Sequence, residues 1–342
     1  MRSILLIIAL SFATIAFTQT PAPSKEEVNV RALLAKNKPY KAITRCDHLI
    51  TRKHRNEFYA LRADGLNRTG NYAQAERDAR SGLGFYPDNA EARFQLAIAE
   101  YGQGAYDSAM VHLRRVLKTD RSHEVRYRTA LTYQKLKNYR DALLQLDQAL
   151  VEGAKDTPDA AKFHRVKGEC LVMRNDTLLA RMEFDQAVTL GPEDPVNFNS
   201  RGFFLFAHYD QHVRAIADYD RSIKLDPNYS YAFNNRGWSL YKLGQKDRGL
   251  KDIRLAGRKK KNSPFVYRNL GIIALESGDT TLACTWFRQA IEYQFTALYG
   301  DEVEELMKLN CGHEHNATLP VQAPNAPMDN PAQPKPTRSN AP

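Results

Sequence analysis

Small and apolar residues fall at regular intervals along most of this chain. One column of mostly small side chains runs Ala42, Ala75, Ala109, Ala142, Ala180, Ala215, Gly249 and Ala283. A second keeps nearly the same step through Ala63, Ala97, Ala130, Gly168, Gly202, Gly237 and Gly271. A third trails the first by seven residues, from Leu49 and Gly82 to Ala256 and Ala290. Within one period the apolar spacing is helical. Between Pro264 and Ala297, the positions Tyr267, Leu270, Gly271, Ala274 and Leu275 recur every three or four residues. Ser277-Gly278-Asp279 then breaks the pattern, and Ala283, Phe287, Ala290 and Ile291 form a second stripe. That spacing predicts two short antiparallel helices per period, each with one buried face. Small residues sit where the backbones approach; Leu146, Phe184, Tyr219 and Phe287 fill the space between helices. Pro87, Pro192 and Pro227 end second helices, since proline cannot donate to the helix ladder and restricts the residue before it.

Leu270-Gly271 with Ala283, Phe287 and Ala290, the set Ala180, Phe184, Ala187 and Pro192, and the pair Pro227 and Gly237 resemble the tetratricopeptide repeat (TPR). That repeat is a 34-residue helix–turn–helix unit with Leu-Gly, Ala-x-x-x-Phe and a late proline. The resemblance covers residues 23–297 as eight units starting near 23, 56, 90, 123, 161, 195, 230 and 264. It implies an all-α fold, an α-solenoid in which the units stack into a right-handed superhelix with a concave groove. The first unit is irregular, with Pro39 in its turn and Val30 in place of the small residue. Ala149 to Ala187 spans 38 residues, which assigns four extra residues to a mobile surface loop from Val151 to Ala160. Ala180 to Ala215 spans 35, which assigns one extra residue to the turn at His208–His212. Residues 298–311, with Glu302, Val303, Leu306 and Met307, read as a final helix capping the array. Residues 312–342 are rich in Pro, Ala and Asn without periodicity and read as a disordered tail.

The first eighteen residues stand apart from the repeat. Met1-Arg2 precedes an apolar run from Ile4 to Phe17, and the polar stretch Gln19–Pro23 follows. This is the pattern of a secretory signal peptide over 1–18, cut between Thr18 and Gln19. Its apolar run is shorter than the ~20 residues of a spanning helix. The expected location is therefore periplasmic or secreted, with a bacterial envelope as the setting and no membrane insertion after cleavage. No cysteine lies near the cut, which argues against a lipid anchor. Cys46, Cys170 and Cys284 lie in units too far apart for a disulfide, whose Cα atoms come within ~7 Å. Cys284–Cys311 remains as the candidate bridge, and Cys46 and Cys170 read as buried hydrophobes.

Charge narrows the partners. The net charge of +10 is thinly spread. Only Arg52–Arg55 and Arg258–Lys261 form runs, and both follow second helices, where cations offset the helix dipole. The inner face of the earlier units mixes Glu57, Asp64, Glu91, Tyr127, Arg128 and Lys135. Without a single-sign track, no nucleic-acid partner is expected.

In the resemblance, first helices line the groove. Carried over, this gives Asn199, Phe203 and Phe206, then Tyr231, Asn234, Asn235, Trp238 and Tyr241, then Arg268, Asn269 and Ile272. Asn235 and Asn269 are 34 apart, and Ser200 continues their column. Stacked amides offer donors and acceptors to an extended peptide backbone, resembling the asparagine ladder in the TPR groove of O-GlcNAc transferase. Trp238 and Tyr241 add flat contact area. The candidate peptide-binding residues are thus Asn199, Asn235, Trp238, Tyr241, Arg268 and Asn269. The alternative is that the Asn residues are ordinary polar face positions and Trp238 packs between units. The carboxylate clamp for chaperone C-termini fails at four of five positions, Phe203 and Phe265 among them, and is excluded.

Enzyme signatures are weak. Cys311, His313 and His315 place three metal-binding types within five residues, but at the edge of the tail, without a frame to hold them. No phosphate loop, His-Glu-x-x-His or Gly-x-Ser-x-Gly occurs. No catalytic residue, metal or cofactor is assigned. The sequence reads as a non-enzymatic scaffold or adaptor that binds a protein or extended peptide in its groove, within an envelope complex. The alternative is a structural envelope component acting through its edges and tail.

Overall fold

The computed structural model describes residues 22–312 other than 154, 156 and 297–299. The signal segment, the tail beyond Gly312, and His313 and His315 lie outside the described residues. Helices pair into hairpins along the chain. The pairs are α1 (Lys25–Ala35) with α2 (Pro39–Lys53) and α3 (Tyr59–Arg68) with α4 (Tyr72–Phe85). Next come α5 (Ala90–Gly102) with α6 (Tyr106–Val116), α7 (His123–Lys135) with α8 (Tyr139–Val151), and α9 (Ala160–Met173) with α10 (Thr177–Leu190). The sixth pair is α11 (Pro195–Ser200) with α12 (His212–Leu225). Then follow α13 (Ser230–Lys242) with α14 (Lys246–Lys259), and α15 (Pro264–Glu276) with α16 (Thr280–Glu292). The last helix among the described residues is α17 (Glu302–Asn310).

Every hairpin turns at one left-handed residue: Asn37, Gly70, Gly104, Lys137, Asn175, Asp210, Gly244 and Gly278. Each precedes the small residue of the second helix by five positions (Gly244 to Gly249, Gly278 to Ala283). The turn chemistry is therefore constant, even where asparagine, aspartate or lysine replaces glycine.

The chain divides into two compact units, one ending at Gln95 and the other beginning at Leu96. In the first, Val30, Leu34, Ala42, Cys46, Leu49, Phe58 and Leu61 form the core. The buried Asn67 amide donates to the Gln95 carbonyl at 2.9 Å. In the second unit, Leu146, Phe163, Val166, Cys170 and Phe184 centre one cluster. Phe233, Ile253, Val266 and Leu270 centre another, and Phe287, Phe295, Val303 and Met307 a third. Cys46 and Cys170 are buried, and burial pushes each thiol up to about 12. The Cys284 and Cys311 sulfurs stand at bonding distance, with Cα atoms 5.8 Å apart. This joins α16 to the end of α17.

The columns of small residues mark backbone contact. A Cβ at Gly249 would lie 2.5 Å from the Gly237 carbonyl oxygen, and one at Gly237 would lie 2.7 Å from that of Gly249. At Gly271 and Gly168 the obstacle is instead the ring of Phe287 or Phe184, at 2.4 and 2.9 Å. One residue before this column a cation repeats. Arg201 holds Asp218 through two bonds of 2.8 and 2.7 Å, and Asp185 of the preceding hairpin at 2.8 Å. Arg236 holds Asp252 and, from the preceding hairpin, Asp220 in the same way. Lys167 spans Glu183 and Asp147, and in the first unit Arg62 spans Asp78 and Asp47.

One expectation changes. The extra residue between Ala180 and Ala215 is not in the turn. Asp210 keeps its five-residue distance to Ala215, but lies eight rather than seven residues after the small column at Gly202. The added residue is absorbed upstream, where α11 continues as a π-helical stretch, Arg201–Phe206, and a 3-10 turn, Ala207–Tyr209. A helix with fixed ends takes up one surplus residue by widening a turn. The described helix after the array runs Glu302–Asn310, with Asp301 at its N-cap position and Gly300 before it at a φ of 103°.

Backbone contact at Gly249 gives a direct prediction. Gly249→Ala is expected to destabilise by about 1–3 kcal/mol through overpacking. Gly84→Ala, in a helix with nothing within 4 Å of the new methyl, is expected to stabilise by up to ~1 kcal/mol. Urea titration of both variants checks the opposite signs.

Candidate functional site

The groove candidates converge in the second unit. A cavity of about 300 Å³ lies among Phe203, His208, Trp238, Phe265, Arg268 and Glu302. A larger one of about 580 Å³ is lined by Lys135, Tyr139, Phe203, Tyr231, Asn235 and Phe265, among others. Phe203, His208, Asn235, Phe265 and Glu302 border both, so the two are parts of one groove. The π-helical stretch places Phe203 here. Phe203 is 42% exposed and its ring meets Phe204 edge-on at 4.9 Å, while Phe204 stacks on the buried Phe184. Phe184 in the core thus supports an aromatic side chain displayed in the groove.

The asparagines form a relay. Arg268 donates to the Asn269 carbonyl oxygen at 2.8 Å, and Asn269 to Asn234 at 3.1 Å. Asn234 donates to Asn235 at 3.2 Å, and Asn235 to Asn199 at 3.0 Å. Arg268 is itself clamped by the Glu302 carboxylate at the start of α17. The donors all run one way, an arrangement in which each bond polarises the next. An amide has two N–H groups and two lone pairs. Asn235 spends one of each in the relay and, half-buried on the groove wall, has one of each outside it.

This differs from a simple 34-residue column. Asn234, a groove candidate outside that column, is the connecting member. Ser200 leaves the column and donates to Glu169 at 3.1 Å. Glu169 also accepts from Gln134 and Arg165, at 3.0 Å each, so a buried carboxylate ties three successive first helices. Burial lowers the Lys135 ammonium below its usual value, with Glu169 opposing the shift.

Trp238 lies on the groove, stacked on Tyr241 with 5.9 Å between ring centres. Lys242 stands 5.3 Å and Arg268 5.1 Å from its ring centre. Tyr241 lies behind the groove wall: it is 6% exposed, borders neither cavity, and donates its hydroxyl to Glu276 at 2.6 Å. Three positions after Trp238, its ring supports the tryptophan from below. Phe206 and Ile272 also fall outside both linings, while His208, Phe265 and Glu302 enter them. No sequence column marks Glu302, because its place depends on the chain path after α16. Among the described residues, no group of three or more His, Cys, Asp or Glu is placed to hold a metal ion. None of the described helices is long and apolar enough to cross a membrane.

His212 lies under the small cavity, with Nδ1 3.2 Å from Ser239 Oγ and Nε2 3.6 Å from Asp210. Burial lowers its pKa below the ordinary 6.5; Asp210 opposes this and Lys242 adds to it. The unfolded chain therefore takes up this proton at higher pH than the folded one. The stability from a neutral His212 is full above pH 6.5 and is lost as the pH falls toward the folded value. His212→Gln is expected to flatten the fall in stability between about pH 6.5 and 5, measured by urea melts across that range.

Three family models described as tetratricopeptide repeat match residues 66–132, 127–195 and 218–251. No curated protein sequence matches the chain. Among solved structures, a tetratricopeptide repeat protein from Parabacteroides merdae is 16% identical, with a TM-score of 0.59 over 75% of this chain and 98% of that one. Yeast Tom70 is 16% identical, with a TM-score of 0.60 over 88% of this chain and 66% of that one. The human IFIT1 dimer with m7Gppp-AAAA is 12% identical, with a TM-score of 0.62 over 83% of this chain and 72% of that one. At such identities the likeness is one of fold, and it agrees with the repeat matches and the hairpins: the chain belongs to the tetratricopeptide repeat family.

Proposed function

We propose that this protein is a non-enzymatic scaffold that holds an extended protein segment in the groove of its second unit. TPR repeats serve protein–protein interaction in general. The observation that carries the groove reading is the half-buried Asn235 amide, with a donor and an acceptor to spare, between the aromatic side chains of Phe203, Trp238 and Phe265. An extended backbone needs such alternating donors and acceptors. Trp238, flanked by two cations and backed by Tyr241, is a preformed flat anchor of the kind that dominates interfaces. Mixed charge supports a polypeptide over a polyanion: Lys135, Lys242 and Arg268 share the linings with Asp210, Glu169 and Glu302.

Panning a displayed library of extended peptides on the full chain tests this. Selected peptides are expected to lose about 30-fold in affinity on Asn235→Ala/Trp238→Ala, as for loss of a ~2 kcal/mol hot spot. Unchanged affinity in the double variant would sink the groove reading. A capped RNA oligonucleotide belongs in the same panel, given the fold shared with IFIT1, and is expected not to compete.

The leader-like residues 1–18 support a setting outside the cytoplasm, periplasmic or secreted, in an envelope assembly. The mature chain is then expected to begin at Gln19. Mass spectrometry of protein isolated from its source checks this, and a chain still carrying residues 1–18 would overturn it.

A further inference from the structure

The groove has a candidate occupant in the chain itself. Residues 313–342 contain seven prolines, at 320, 324, 327, 331, 334, 336 and 342, with Leu319, Val321 and Met328 among them. Proline presets the backbone toward the polyproline II helix, whose carbonyls have no internal partner. Such segments lose little entropy on docking and favour grooves lined by aromatic side chains. The groove supplies Phe203, Tyr231, Trp238 and Phe265, with the spare N–H of Asn235 as a carbonyl donor.

The root of the segment is held close by. Glu302, at the start of α17, borders both cavities. α17 has nine residues, about 13 Å at 1.5 Å per residue, and Cys311 beyond it is joined to Cys284. Gly312 therefore sits about one short helix from the groove wall. In polyproline II geometry about five residues cover that return distance at ~3.1 Å each, which leaves the proline stretch free to lie along the groove.

Charge agrees with this placement. From His313 to Gln333 the charged residues are Glu314 and Asp329. The groove lining carries Lys137 and Lys242 beside Asp210, while Arg268 and Glu302 pair with each other and Glu169 pairs with Arg165.

We propose that residues 318–333 of this chain occupy its own groove, so that an outside partner binds by displacing them. The inference rests on the groove reading above and adds an internal competitor to it. A tether this short holds the segment at millimolar effective concentration, so it lowers the apparent affinity of every groove ligand.

The test uses the full chain with p-benzoylphenylalanine in place of Phe203, which borders both cavities, and a control with it at the outward-facing Val111. Irradiation is expected to join position 203 to the stretch between 313 and 338 within one chain. The yield should not change on tenfold dilution, and position 111 should give none. Pro320→Gly/Pro324→Gly/Pro327→Gly in the full chain is expected to cut that yield at least fivefold and to tighten binding of the panned peptides about tenfold. A dimer-sized product that fades on dilution would assign the occupant to a second copy and overturn the proposal. Labelling of panned peptides but never of residues 313–338, or a yield indifferent to the proline changes, would overturn it and leave the groove reading standing. Labelling of neither would remove both.

Discussion

The structure depends on how closely two helices in a hairpin approach one another. At Gly237 and Gly249 the backbones touch, with no room for a single methyl on either side. Elsewhere one backbone meets an aromatic face, Gly271 under Phe287 and Gly168 under Phe184. Either solution demands a small residue at one place per helix, and so produces the columns that govern the sequence. It also makes the turn rigid in length. A residue in the left-handed region five positions before the second helix's small residue recurs in all eight hairpins, whatever its side chain. Surplus residues must go elsewhere, as the π-helical stretch at Arg201–Phe206 shows.

A second constraint links one hairpin to the next. The cation beside the small column, at Arg62, Lys167, Arg201 and Arg236, reaches a carboxylate in its own hairpin and one in the hairpin before. The Asp-x-Asp spacing of Asp218 and Asp220 supplies both kinds: Asp218 faces inward to Arg201, and Asp220 reaches forward to Arg236. Burial pushes the Asp218 carboxyl up despite the opposing pull of Arg201. Removing the arginine would strand a buried charge, a far larger penalty than loss of a surface pair. Where they occur, the ties specify which face of one hairpin meets the next, and in the second unit the hairpins deliver Asn199, Asn234, Asn235 and Asn269 to one relay.

Much of this was legible in sequence. The 34-residue step, two helices per step and a late proline are local, and physics that repeats eight times leaves a strong imprint. The groove was half legible. Asn235 and Asn269 stand out as a column, but the hydrogen bonds join Asn235 to Asn199 and Asn269 to Asn234, at separations of 36 and 35. A shift of one or two residues decides which amides meet, and the period cannot resolve it. Tyr241 shares the helix of Trp238, yet its hydroxyl is committed to Glu276 in the next hairpin, and its ring is buried.

By itself, the sequence determined the repeat, the hairpin and the positions where side chains had to be small, because these follow from helical spacing and steric exclusion within one unit. Only the tertiary structure decided that a surplus residue would widen the helix that carries Phe203, a groove candidate by its register. It alone brought Glu302 from beyond the last repeat to clamp Arg268 and complete the relay to Asn199. Those outcomes depend on contacts between hairpins and on the chain path after the array, and neither is encoded in the period of any one unit.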